Sequence, residues 1–193
     1  ATLHVLPTLW FRNTWSWEGG GSKPVLTSVK HATSSVIHAH HTDPLFQKSL
    51  TDYYLYCEGT VPLLFTENET NLVRIFGTAN KSPYVKDGIN NYVVHGATEA
   101  VSAEGSGTKV AGHYRLKIGP RQSAVVKLRL TDKEMASPAR RPFTASFDTT
   151  FAERRKEADE FYATVTPPSL TSDAKSVMRQ ALAGMLWSKQ FYH

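Results

Sequence analysis

The stretch His113–Thr131, "HYRLKIGPRQSAVVKLRLT", decides how most of this chain is read. Tyr114, Leu116 and Ile118 alternate with Arg115 and Lys117; beyond "GPRQ", Val126, Leu128 and Leu130 alternate with Lys127 and Arg129. Successive strand side chains point to opposite faces, so a period of two describes strands with one apolar and one wet face. The Gly-Pro turn between them predicts a β-hairpin. Working outward, "SVIHAHH", "YYLYC", "LVRIF", "NYVVHG" and "FTASF" read as further strands, and Ala1–Val5 as another. Short β-rich runs broken by Gly, Pro, Asn and Asp, with no helices between them, predict a mainly β fold, an antiparallel sandwich over residues 1–147.

Composition narrows the function classes. The 193 residues are 40% hydrophobic and only 20% charged, which describes a folding globular chain. No apolar run approaches the ~20 residues of a membrane helix, so no membrane partner is expected. The net charge of +5 comes without a basic stripe, and Arg154-Arg155 lies among Glu153, Glu157, Asp159 and Glu160, so no nucleic-acid partner is expected. No GxGxxG or Walker-type loop supports a nucleotide site. The single cysteine, Cys57, excludes an internal disulfide; with no leader visible, the cytoplasm is the expected compartment. Asn68-Glu69-Thr70 and Asn80-Lys81-Ser82 fit the glycosylation acceptor pattern, a triplet that arises often by chance.

After Phe147 the texture becomes helical, giving a second region over residues 148–193. Thr150 and Glu153 have capping-box spacing, and Phe151, Ala158, Phe161, Tyr162 and Val165 share a helical face. Lys156–Glu160 and Arg155–Asp159 are spaced as stabilising opposite-charge pairs. "TPPS" ends this helix, because proline lacks the needed N–H. A second helix is expected from Ser172, with Val177, Met178, Ala181, Leu182, Met185 and Leu186 as its stripe and Trp187 and Phe191 off it. So apolar an end is normally covered by neighbouring helices, which leads us to expect a piece of a longer protein.

Three of four tryptophans fall in "LPTLWFRNTWSW", Leu6–Trp17, interleaved with Arg12, Asn13 and Ser16. Tryptophan beside hydrogen-bonding side chains suits either a packed strand or a sugar-binding surface. On a regular strand Trp10 and Arg12 share one face, expected in the core; Asn13, Trp15 and Trp17 share the other, the candidate surface. In "LFTENETN", Glu67, Glu69 and Asn71 would point one way if extended. Inverting glycoside hydrolysis wants two carboxylates about 6.5–9.5 Å apart on opposite sides of the sugar, and a pair on one strand face does not flank a substrate. An exposed polar turn is the simpler reading. His38 and His40 share a strand face, but two histidines do not close a zinc site, and they are read with His41 as a solvated strand end. Lys86 and Asp87 before a glycine mark a turn.

The segments "LHVLPTLWFRNTWSW", "LFTENETN", "SPYVKDGINNYVVHG", "GTKVAGHYRL", "EADEFYA" and "MRQALAGMLWSKQFYH" resemble glycoside hydrolase family 63, the processing α-glucosidases and their bacterial relatives. That resemblance implies an antiparallel super-sandwich followed by an (α/α)6 barrel, of which residues 148–193 would supply a linker helix and the first barrel helix. It implies an oligosaccharide partner for the parent enzyme, an intramolecular partner in the helical barrel, and no cofactor. The family's general acid and base belong to the barrel; no position here matches them, so no residue is assigned as catalytic and none as a metal ligand. This stretch alone is expected to be inactive. Asn13, Trp15, Trp17, Glu67, Glu69, Asn71, Lys86 and Asp87 remain as candidate substrate-binding residues. The alternative is a stand-alone carbohydrate-binding or structural β-sandwich module.

Overall fold

The computed structural model describes residues 1–16, 22–41, 52–135 and 141–188. The chain forms two compact units, Ala1–Pro142 and Phe143–His193. In the first, the described residues form strands β1 (Thr2–Val5), β2 (Thr8–Trp10), β3 (Val25–Val29), β4 (Ser34–His40), β5 (Asp52–Glu58), β6 (Leu63–Thr66), β7 (Ser106–Gly107), β8 (Lys109–Gly112), β9 (Tyr114–Lys117) and β10 (Leu128–Thr131). Two short helices, α1 (Leu72–Phe76) and α2 (Gly88–His95), lie between β6 and β7. The strands make a five-stranded sheet, β10-β5-β4-β3-β7, a three-stranded sheet, β2-β8-β6, and the pair β1-β9. Every pairing between these strands is antiparallel.

Alternation sorts each strand's residues into core and surface. Leu26, Ile37, Ala39, Leu55 and Cys57 from the five-stranded sheet meet Phe65 and Val110 from the three-stranded sheet and Tyr114 from β9 in one buried cluster. Each large apolar side chain so buried contributes roughly 1.5–3 kcal/mol. The other face of β6 and β8 supplies Leu64 and Ala111 to a smaller cluster, which Ile89 of α2 completes. β6 is therefore covered on both sides, and "LLF" is a continuous apolar run for that reason.

The two larger sheets join where the chain passes from β7 to β8. Gly107 pairs with Leu26 in one sheet, Lys109 pairs with Trp10 and Thr66 in the other, and Thr108 alone separates them. The Thr108 N–H donates to the Thr66 carbonyl at 3.1 Å. A Cβ on Gly107 would lie 2.5 Å from that same oxygen, so only glycine allows the approach.

Several expected elements differ. β9 and β10 are strands but not a hairpin: β9 pairs with β1 and β10 with β5. Residues 118–127 between them are too long for a tight turn, and each strand joins the neighbour that extends the core. "LVRIF" and "NYVVHG" are helical, not extended. Asn71 caps α1 by accepting from the Arg74 N–H at 3.1 Å, and both helices stop at glycines with φ near +67° and +68°, Gly77 and Gly96. Capping outweighed the β-branched content. Trp10 is 55% exposed, while Leu9 and Phe11 pack against the core, so the Trp10 face is the wet one. β2 ends at Trp10, and strand alternation does not extend to Asn13 or Trp15.

In the second unit, α3 (Ala145–Val165) and α4 (Ser172–Trp187) pair across a Pro-Pro connection. "FTASF" is not a strand: Thr144 is the N-cap, and the Phe147 N–H donates to its carbonyl at 2.9 Å. With no proline or glycine between Ala145 and Thr150, nothing delays the helix to the expected capping box. Lys156–Glu160 forms as spaced, at 3.7 Å, whereas Asp159 pairs with Arg179 of α4 at 2.6 Å instead of Arg155. The Arg179 guanidinium also lies over the Tyr162 ring, 4.7 Å from its centroid. Thr171 caps α4 by accepting from the Ala174 N–H. Neither helix buries a residue fully; Trp187 is 91% exposed, and Phe161, Tyr162, Val165, Leu182, Met185 and Leu186 line an apolar groove of about 480 Å³. Trp17 and Phe191 lie outside the described residues. Among the described residues no helix is long and apolar enough to cross a membrane.

Two outcomes are expected. Gly107→Ala must displace β7 or β6 and will destabilise the fold by about 1–3 kcal/mol, measured as a shifted denaturant midpoint. Cys57, buried with its thiol pushed up to about 11 by burial, will resist alkylation at pH 8 in the native protein and react in denaturant. Rapid native labelling would contradict its placement in the core.

Candidate functional site

Because β2 and β6 both pair antiparallel with β8, they run parallel to each other, and their C-terminal ends emerge at the same edge. The segment after β2 (residues 11–16) and the loop after β6 (67–71) therefore meet, although more than fifty positions separate them. Their contacts are reciprocal. The Asn68 amide donates to the Phe11 carbonyl at 2.8 Å, and the Asn13 amide donates to the Asn68 carbonyl at 3.1 Å. The Trp15 indole N–H donates to Glu69 Oε1 at 3.1 Å.

A third segment, residues 80–87, closes the site from the other side. The Glu67 N–H donates to the Tyr84 carbonyl and the Lys86 N–H to the Glu69 carbonyl, at 2.8 and 3.0 Å. Lys86 Nζ reaches Thr70 Oγ1 at 3.2 Å. Behind these, Asn71 donates to both carboxylate oxygens of Asp87 at 3.2 Å, and Arg74 pairs with Asp87 at the same distance. Asn80 caps α1 as well, accepting from the Leu72 N–H at 2.7 Å and donating to Asn71 Oδ1. Three separate stretches thus enclose an open polar cavity of about 390 Å³, lined by Asn13, Ser16, Asn68, Glu69, Thr70, Leu72, Lys81 and Lys86.

This geometry divides the sequence candidates. Asn13, Glu69 and Lys86 line the cavity. Trp15, Asn71 and Asp87 do not line it; Trp15 holds Glu69 directly, while Asn71 and Asp87 brace the adjoining loops. Trp17 falls outside the described residues. Glu67 faces elsewhere: it accepts from Thr108 Oγ1 at 2.6 Å, pairs with Lys23 at 2.9 Å, and lines a different cavity with Lys23, Ser106 and Thr108. Glu67 and Glu69 therefore do not share one face as the extended reading expected, because β6 ends at Thr66 and the following backbone turns. Asn68, Thr70, Ser16 and Lys81 were missed. The density of Asn and Glu in "TENETN" was the available signal, but their orientation depends on long-range partners.

The half-buried Asn68 and Asn80 amides are committed to Phe11 and Asn71, an arrangement a glycan would break. Near the cavity, Lys109 donates to the Lys86 carbonyl at 3.0 Å, and burial together with the Lys86 charge holds its ammonium below the usual range. Lys81 and Lys86 set two cations against Glu69, so the lining offers donors and an acceptor together. His41 stacks on Phe11, with ring centres 5.4 Å apart. Among the described residues one group of three side chains could ligate a metal, His38, His40 and Asp52, and it lies on the outer face of the five-stranded sheet rather than in this cavity.

The chain is similar to an uncharacterized protein of Saccharomyces cerevisiae (strain ATCC 204508 / S288c), YMR196W, at 34% identity over 214 residues. The match covers 99% of this chain and 20% of the yeast protein, so the chain spans about a fifth of the length of that relative. No protein-family model and no solved structure matches.

The loop's anchor makes a direct prediction. Thr108 is 1% exposed, and its hydroxyl accepts from the Asn68 N–H at 2.7 Å while donating to Glu67. Thr108→Val keeps the shape and leaves both partners without it; we expect a loss of about 1–3 kcal/mol by urea denaturation. An unchanged midpoint would mean the loop does not depend on this hydroxyl.

Proposed function

We propose that this chain is a non-catalytic, oligosaccharide-contacting portion of a glycoside hydrolase resembling family 63. The parent would hydrolyse α-glucosidic or related linkages with inversion, by carboxylates that this chain does not supply. The observation that carries the reading is the convergence of Asn13, Glu69 and Lys86 on one open cavity, with Trp15 fixing the Glu69 carboxylate. Such a lining suits a polyhydroxylated ligand, because each sugar hydroxyl both donates and accepts: the Glu69 carboxylate accepts a hydrogen bond, while the Lys86 and Lys81 ammonium groups donate. A carboxylate already held by an indole N–H loses little freedom on binding.

The larger architecture is compatible with this proposal. Antiparallel sheets in the first unit and a helix pair in the second lend support to the proposed sandwich-then-barrel order of the parent. The apolar groove between α3 and α4 then packs against further helices of a barrel in the parent, as helices with uncovered apolar stripes do.

The test is a titration of the purified protein with α-linked glucosyl disaccharides, followed by NMR shifts of backbone amides. We expect saturable changes at Asn13, Glu69 and Lys86, with no glucose released. Glu69→Gln and Lys86→Ala, each removing one charged hydrogen-bonding group, will weaken binding by roughly 1.5–3 kcal/mol while leaving the melting temperature nearly unchanged. Shifts absent at saturating sugar, or equal in both variants, would remove the cavity from the function. Glucose release by the protein would contradict its assignment as non-catalytic.

A further inference from the structure

The outer face of the five-stranded sheet adds a third member, Asp52, to the histidine pair that the sequence places on one strand face. His38 and His40 are two residues apart on β4 and so project together, opposite the buried Ile37 and Ala39. In the β4–β5 register, His40 lies opposite Asp52 and His38 opposite Tyr54. His38 Nε2 is 2.6 Å and His40 Nδ1 3.0 Å from the same oxygen, Asp52 Oδ1. All three donor atoms lie within 4.8 Å of one another.

We propose that His38, His40 and Asp52 bind a divalent cation of the zinc class, with solvent completing its coordination. Two imidazole nitrogens and one carboxylate oxygen suit a borderline cation, whereas magnesium and calcium require mostly oxygen donors. Metal–ligand lengths of about 2.0–2.2 Å in a tetrahedral site place ligand atoms roughly 3.3–3.5 Å apart. The two nitrogens must therefore retreat from Asp52 Oδ1 by less than ~1 Å and close on each other by up to about 1.5 Å, and half-buried side chains on a surface can do this by rotation. The Tyr54 ring stacks on His38, centroids 4.8 Å apart and planes 18° from parallel, which holds the imidazole plane. The partial exposure of all three ligands leaves a path for entry and room for water.

A bare hydrogen-bonded triad would have the same resting geometry, so the test is metal binding itself. Tag-free protein, stripped with chelator, is titrated with Zn²⁺ by calorimetry and with Co²⁺ by visible absorption. We expect saturation at one equivalent. His40→Asn and Asp52→Asn should each weaken binding by more than about tenfold, since losing even an outer-shell partner costs 10–100-fold. His4→Gln is the control, because His4 and His113 form another close histidine pair, 2.7 Å apart; its affinity should not change. Zn²⁺ should also shield His38 and His40 of the unaltered protein from diethyl pyrocarbonate, a readout that needs no variant to fold. No saturable binding, no shielding of these two rings, or binding lost in His4→Gln but kept in His40→Asn would each overturn the proposal.

Discussion

The contact on which the first unit depends is the one between Thr66 and the pair Gly107–Thr108. Here the chain leaves the five-stranded sheet and enters the three-stranded one within a single residue, and the missing side chain at Gly107 makes room for the Thr66 carbonyl. Thr108 then uses its backbone N–H on Thr66 and its hydroxyl on Asn68 and Glu67. One residue thus joins two sheets and sets the start of the polar loop. A buried hydroxyl satisfied in both its roles is a strong local constraint, because any displacement leaves a donor or acceptor unpaired away from water.

The cavity follows from that constraint and from strand order. β8 separates β2 from β6 and runs opposite to both, so the segments leaving them emerge together. Once Thr108 holds Asn68, the Asn68 side chain can reach Phe11, and Trp15 can reach Glu69. The lining residues are held by hydrogen bonds between these segments, and the Glu69, Lys81 and Lys86 side chains line the opening. A site of this kind is preformed, and preformed polar groups lose less on binding than mobile ones.

Period-two alternation correctly indicates β9 and β10, and β-rich runs bounded by turn residues indicate β1, β4 and β5. It could not indicate partners, since alternation reports a strand's two faces and not its neighbour; β9 and β10 each pair with a strand distant in sequence. The short helices were misread because Val, Ile and Tyr suggested strands. The informative residues were the caps, Asn71 before α1 and the glycines at 77 and 96 after α1 and α2. Asn13, Trp15, Glu69 and Lys86 were legible as candidates by composition. Their convergence, the separation of Glu67 from Glu69, and the meeting of His38 and His40 with Asp52 all depend on strand register, which no local pattern encodes.

The claim that the polar loop is built into the fold, and is not arranged by a ligand, is tested most directly by amide hydrogen exchange in the ligand-free protein. The probes are the Asn68 N–H, which donates to Thr108 Oγ1 at 2.7 Å, and the Trp15 indole N–H, which donates to Glu69. Our account predicts that the Asn68 amide exchanges as slowly as the neighbouring amides of β6 and β8, with the indole proton protected relative to a free tryptophan. Exchange of both at unprotected rates, while the strands stay protected, would contradict it: the loop would then be independent of the sheet junction that is said to hold it.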